Sequence, residues 1–235
     1  MSTVPASTWP PNLTPKEAAQ LFMLFLKDDT EDAPWMSMGD LQFWSASSFA
    51  HSLRNYAHAQ SLGWYVASLL PIWFTYEDLP ERHQLSPDVF VAFVPEHPRS
   101  SFDVAVEGKF PPFVLEVVSP SSEERDQETK RKAYELLEVR EYALFTPRAS
   151  EPSSLEGYRL TAEGTFKSWQ PDAQGRLWSE VLGLFLVVRG RLLQAETADG
   201  RILLTPEQTD EELQHAEAEI AQLRQEIERY RRQDG

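Results

Sequence analysis

The chain has 235 residues, 41% of them hydrophobic and 11% aromatic, with 7 Trp and 13 Phe. That is enough apolar mass for one large packed domain with an appendage, and it excludes wholesale disorder. The 37 Asp and Glu outweigh the 22 Lys and Arg to give a formal net charge of −15, which counts against tight, non-specific binding to a polyanion.

Cysteine is absent, so neither a disulfide framework nor a thiolate metal site is open to this chain, in keeping with a reducing cytoplasm. The segment Met1 to Pro11 has no Lys or Arg and no apolar core of a secretory signal. The longest nearly uncharged apolar stretch, Trp64 to Tyr76, contains Pro71 and is too short to span a bilayer, so no membrane partner is expected.

In chain order, Thr14-Pro15-Lys16-Glu17 is a helix start, with a capping threonine, a proline in the first turn and a glutamate closing the cap. Leu21, Phe22, Leu24, Phe25 and Leu26 follow, and the acidic, proline-containing stretch Thr30 to Asp40 reads as a loop. Phe49, Leu53, Tyr56 and Ala57 recur at helical spacing and predict a helix over Ser45 to Leu62, ended by Gly63. Trp64 to Ala67, Ile72 to Tyr76, Val89 to Val94 and Phe113 to Val118 are short, aromatic and β-branched, as strands are.

A charged helix is expected over Glu124 to Glu138, a strand over Tyr142 to Phe145 and a loop over Pro147 to Ser154. Short strands and turns then run to Leu204, with a hairpin centred on Arg189-Gly190-Arg191. The order predicts an α/β domain built on a central mixed sheet, with a β-rich C-terminal part. After Thr205-Pro206, the residues Leu213, Ala216, Ile220, Leu223, Ile227 and Tyr230 alternate in steps of three and four. That is the seam of a coiled coil, and it predicts a homodimer formed through residues 205–235. The competing expectation is a terminal helix packed on its own domain. Three parts result: an N-terminal helical extension over 1–40, the domain over 41–204 and the terminal helix over 205–235.

Three residues could carry chemistry. Asp88 precedes the strand beginning at Val89, and Glu116 interrupts an otherwise apolar strand, on the same face as Val114 and Val118. A charge inside a strand is costly unless it is paired or bound to a metal. A lone strand glutamate is more often paired with an Arg or Lys at a strand end. Two carboxylates on neighbouring strands can instead converge, and oxygen ligands of that kind suit Mg²⁺ or Mn²⁺. Lys130, Tyr134 and Leu137 share one face of the following helix, which turns Lys130 towards the sheet if Leu137 is core. The other reading is a solvated lysine paired with Asp126 one turn earlier. His51, Glu77, Asp78, Glu107 and Lys109 are weaker candidates, and Arg125, Arg131 and Lys132 could form a local basic patch.

The run Leu85-Ser86-Pro87-Asp88-Val89-Phe90-Val91, the run from Pro111 to Ser121 around Glu116, Arg125-Asp126 with Lys130-Arg131 and Tyr134, and Val139-Arg140-Glu141-Tyr142 together resemble the Uma-type family of bacterial restriction-endonuclease-like proteins. The resemblance spans roughly residues 40 to 204. It implies a restriction-endonuclease-like fold of the PD-(D/E)XK superfamily, with Asp88 and Glu116 as metal ligands. The superfamily's usual lysine position, two residues after the glutamate, is Val118 here, and the family pattern supplies Lys130 from the next helix instead.

The implied function is Mg²⁺- or Mn²⁺-dependent hydrolysis of phosphodiester bonds in nucleic acid, DNA in the first instance, with Asp88, Glu116 and Lys130 catalytic. Two alternatives stand beside it. One is a catalytically inactive nuclease fold that binds or assembles partners and dimerises through its coiled coil. The other is a hydrolase of small phosphoesters, which would need a deep pocket.

Overall fold

The computed structural model describes residues 40–76, 79–118, 130–148 and 152–233. The helix expected at Thr14, the loop over 30–39, Glu77, Asp78 and the segment with Arg125 and Asp126 lie outside these residues. The first described element is helix α1, Asp40–Ala59. It begins five residues before the expected Ser45, with Asp40 in the first turn, where a carboxylate complements the helix dipole.

Twelve strands follow among the described residues: β1 Tyr65–Ser68, β2 Ile72–Tyr76, β3 Leu79–Leu85, β4 Val89–Ala92, β5 Phe102–Asp103, β6 Phe113–Val117, β7 Glu141–Thr146, β8 Ser154–Leu160, β9 Phe166–Ser168, β10 Leu177–Ser179, β11 Leu184–Arg189 and β12 Leu192–Glu196. Between them lie α2, Val104–Glu107, and α3, Arg131–Leu136, and the chain continues into α4, Pro206–Gln233. The central sheet has six strands in the order β1-β4-β6-β7-β8-β9 and is mixed: β6 and β7 are parallel, and the other pairs are antiparallel. A parallel pair needs a crossover, and the β6-to-β7 connection carries α3.

Alternation along the central strands builds two cores. Val89, Val91, Phe113, Leu115, Val117, Ala143 and Phe145 face one side, where Ala46, Phe49, Ala50 and Leu53 of α1 meet them together with the β10-β11-β12 sheet. Phe90, Ala92, Val114, Val118, Tyr142 and Leu144 face the other, against Ala133 and Tyr134 of α3 and the β3-β2-β5 sheet. On this side Phe90 and Phe102 meet edge to face, with ring centroids 5.3 Å apart. Gly157 in β8 lets Trp169 lie close, because a Cβ there would sit 2.5 Å from the indole ring.

The expected strands at Ile72 and Phe113 and the hairpin at Gly190 are present with small shifts at their ends. Three elements were not expected. Strand β3 is polar and contains Pro80, a composition tolerated because β3 lies at the edge of its sheet. Phe102 and Asp103 pair with β2, and Glu107 lies in α2 and is bound by Arg99 at 2.8 Å. The described part of the charged helix is only Arg131–Leu136, with Lys130 as its N-cap residue.

Candidate functional site

The parallel pair β6–β7 lies at the middle of the sheet, and β6 is buried at all five of its residues. Glu116 is therefore carried deep into the domain, at 1% exposure, and its side chain shares the α3 face with Val114 and Val118. Both oxygens are engaged. The Lys130 ammonium donates to Oε2 at 2.8 Å and the Tyr134 hydroxyl to Oε1 at 2.6 Å. Lys130 and Tyr134 are four residues apart, so the same face of the chain entering α3 delivers both groups. The Lys130 side chain is 28% exposed, so this pair reaches from the interior to solvent.

Asp88 is 8% exposed and stands just before β4. Its backbone carbonyl accepts the Leu69 N–H at 3.1 Å, continuing the ladder with β1. Its side chain does the same work on the other edge, where Oδ2 accepts the Val117 N–H at 2.6 Å. The β4–β6 register ends at Val89 and Leu115, so the carboxylate takes the place of a carbonyl that β4 no longer supplies. Asp88 is thereby held beside the residue that follows Glu116.

Burial pushes the Tyr134 hydroxyl well above the usual phenol range, and the negative charge of Glu116, its hydrogen bond to Glu116 and the more distant charge of Asp88 push it the same way. The phenol therefore remains a proton donor to Glu116 throughout the neutral range. Helical spacing puts Tyr134 on the Lys130 face but does not give its contact. Gln42 was not among the expected site residues, and its Nε2 donates to the Val117 carbonyl at 2.8 Å across 75 residues of sequence. The one local sign was a polar residue inside the otherwise apolar run Leu41-Gln42-Phe43-Trp44.

Glu107 is committed to Arg99, and the Arg131 guanidinium lies over the Tyr158 ring at 5.1 Å from its centroid. His51 sits half-buried on α1. Glu141, which the sequence marks only within the run Val139-Arg140-Glu141-Tyr142 and not as a site residue, is buried as deeply as Glu116, but Ser179, Arg159 and the Glu180 N–H all donate to it. That carboxylate ties the β10–β11 corner to the central sheet and has a structural role.

Asp88 and Glu116 offer hard oxygen donors at the end of adjacent strands, and no group of three or more His, Cys, Asp or Glu that could hold a metal occurs among the described residues. Two carboxylates fit a hard cation of the Mg²⁺ or Mn²⁺ kind, which keeps several waters of its own.

The described residues form a mixed α/β fold, with helices packed on the faces of a central sheet and a carboxylate-bearing parallel pair at its middle. Residues 34–189 match the model of the Uma2 family, described as "putative restriction endonuclease", and the chain belongs to that family. No curated protein matches the chain. No helix among the described residues is long and apolar enough to cross a membrane.

Proposed function

We propose that the protein is a divalent-metal-dependent endonuclease that hydrolyses phosphodiester bonds in DNA. One observation carries the proposal: the deeply buried Glu116 carboxylate, beside strand-end Asp88, is joined at 2.8 Å by a partly exposed ammonium. A buried ion pair adds little to stability by itself, because desolvation offsets its attraction. The energetic case for keeping one here is therefore weak unless the charges serve another purpose.

In this reading Asp88 and Glu116 would hold Mg²⁺ or Mn²⁺, which would supply Lewis-acid chemistry for the scissile phosphate and the attacking water. Lys130 stands at the solvent-facing side of Glu116, where its ammonium donates hydrogen bonds to the charge that develops on the phosphate oxygens. Tyr134 holds Glu116 in one rotamer, and the Val117 N–H holds Asp88. The net charge of −15 makes the electrostatic pull on a polyanion weak, so this reading also predicts strong dependence on the metal ion for substrate binding.

Family membership supports nuclease chemistry, and the absence of cysteine supports a cytoplasmic setting. The exposed apolar seam of α4 supports pairing of two copies through residues 205–235.

Plasmid cleavage with Mg²⁺ or Mn²⁺, wild type beside Glu116→Ala and Lys130→Met, tests the proposal. Wild type should cut only with metal, and Glu116→Ala should lose both cutting and Mn²⁺ binding. Lys130→Met should bind Mn²⁺ yet turn over at least about 100-fold more slowly, as expected on removing a positioned transition-state donor. A wild-type protein that neither cuts nor binds metal would leave an assembly module as the reading.

A further inference from the structure

We infer that Gln42 is a positioning residue for the Asp88–Glu116 pair, acting through Val117. The inference rests on the reading of those carboxylates as a metal site and adds a residue on a different element to it.

The geometry starts from where β4 runs out. In an antiparallel ladder, the N–H and C=O of every second residue point to the same neighbour. Along β6 the β4-facing positions include Leu115, which lies opposite Val89 at the end of the register, and then Val117, which has no residue of β4 opposite it. Two side chains from separate elements fill that gap. Asp88 Oδ2 accepts the Val117 N–H at 2.6 Å, and Gln42 Nε2 donates to the Val117 carbonyl at 2.8 Å.

These two bonds act on different peptide planes. The Val117 N–H belongs to the plane it shares with Glu116, and the Val117 carbonyl to the plane it shares with Val118. On its opposite edge that second plane is held by one bond, from the Val118 N–H to the Phe145 carbonyl at 2.8 Å. Gln42 supplies the anchor on the β4 side, so the plane is gripped from both edges and cannot tilt about a single bond. Both torsions of Val117 are thus fixed by the combination of Asp88, Gln42 and Phe145. Because Glu116 is the preceding residue and Asp88 is bound to Val117 itself, the spacing of the two carboxylates depends on that backbone.

Gln42 is suited to this role by its place in the fold. It stands in the first turn of α1, and α1 is pinned to the sheet by Ala46, Phe49, Ala50 and Leu53. The amide is therefore presented from a fixed base. A side chain with a donor and an acceptor at the end of two methylenes can reach the strand end without bringing a charge there. A cation at the same place would compete with a metal ion for the site, and a carboxylate could not donate to the carbonyl.

The test uses the full chain in four forms: wild type, Glu116→Ala, Gln42→Met and Gln42→Asn. Methionine keeps the length and volume without a donor, and asparagine keeps the amide but falls one methylene short. Mn²⁺ binding to the metal-free protein is measured by calorimetry, steady-state cleavage gives kcat and KM, and thermal unfolding is followed in parallel. Both Gln42 variants should stay folded and bind Mn²⁺ about three- to ten-fold more weakly, the worth of one lost hydrogen bond. They should also lower kcat with KM for DNA unchanged.

Mn²⁺ affinity and kcat equal to wild type in both variants would overturn the inference while leaving the metal site standing. So would losses that follow only the unfolded fraction. If wild type binds Mn²⁺ no better than Glu116→Ala does, the metal site itself is wrong and the role of Gln42 falls with it.

Discussion

Glu116 brings a carboxylate into a strand buried at every residue, where the Lys130 ammonium and the Tyr134 phenol donate to it. Removing the phenol is the sharper probe of that balance, because it leaves the charge in place and takes away a donor that water cannot easily replace at 1% exposure. Tyr134→Phe should therefore lose about 1.5–3 kcal/mol of stability in urea titration, the range for a hydrogen bond to a charged group. The same variant has a signature at high pH. A phenol whose folded-state pKa is raised contributes stability that is complete below the unfolded value and is lost as pH rises beyond it. Tyr134 is raised, chiefly by burial, so wild type should lose stability above about pH 10 and Tyr134→Phe should lose less. Tyr65, also raised chiefly by burial, sustains part of that alkaline loss in both proteins. A pH series of unfolding midpoints from 8 to 11 reads the difference. At this scale the sequence was informative where a residue broke a local pattern. Glu116 stands out because it interrupts a run of valines, and Lys130 because of the face it shares with Leu137. Gln42 breaks its pattern only weakly, and its partner is a backbone carbonyl 75 residues away, which no local periodicity encodes.

The inner strands β4, β6 and β7 of the central sheet were legible, because burial on both faces makes them largely apolar runs, whereas the more polar β8 and β9 were not individually marked. Strand β3 was not legible, because an edge position, with a ladder to β2 on one side, permits Pro80 and a charged composition. The end of α3 shows a second kind of information that composition does not carry. Glu138 sits at φ 56°, in the left-handed region, while the Val139 N–H reaches back to the Tyr134 carbonyl at 2.9 Å and the Glu138 N–H to the Glu135 carbonyl at 3.1 Å. That is a Schellman-type C-cap, which favours glycine at this position because a Cβ is crowded there. The glutamate side chain is exposed. Glu138→Gly should thus relieve backbone strain at little cost in contacts and stabilise the domain by about 1 kcal/mol, raising the unfolding midpoint by about 2–4 °C. Calorimetry checks this, and a fall in the midpoint would show that the Glu138 side chain contributes more than its exposure implies. Because the cap closes the helix that carries Lys130 and Tyr134, cleavage by this variant should match wild type.

For the whole molecule, the open matter is what covers α4. The helix is well started: Thr205 Oγ1 accepts the Gln208 N–H at 3.3 Å, and Gln208 Oε1 accepts the Thr205 N–H at 3.0 Å, a reciprocal capping box. Thr205 is buried, but every residue from Thr209 to Gln225 is exposed, so the helix leaves the domain almost at once. The expectation that it packs on its own domain is therefore not met over that span. Leu213, Ile220, Leu223 and Ile227 are 49–57% exposed and fall on one stripe at coiled-coil spacing. A single helix with such a stripe is marginal in water, and the same stripe on a second copy would cover it. Ending the chain after Asp210 keeps the capping turn and removes the seam. Light scattering at about 5 and 100 μM distinguishes the outcomes, because a seam of under three heptads should dissociate within a range of this kind. The full chain should move from monomer towards dimer across it, while the shortened chain stays monomeric and keeps the unfolding midpoint of the domain. Ile220→Glu in the full chain should behave like the truncation, because it places a charge at the middle of the seam. A full chain that is monomeric at both concentrations would exclude self-pairing and give the stripe to a different protein. If cleavage of supercoiled plasmid to the linear form falls in the truncated chain while nicking persists, pairing is what brings two Glu116 sites to one duplex.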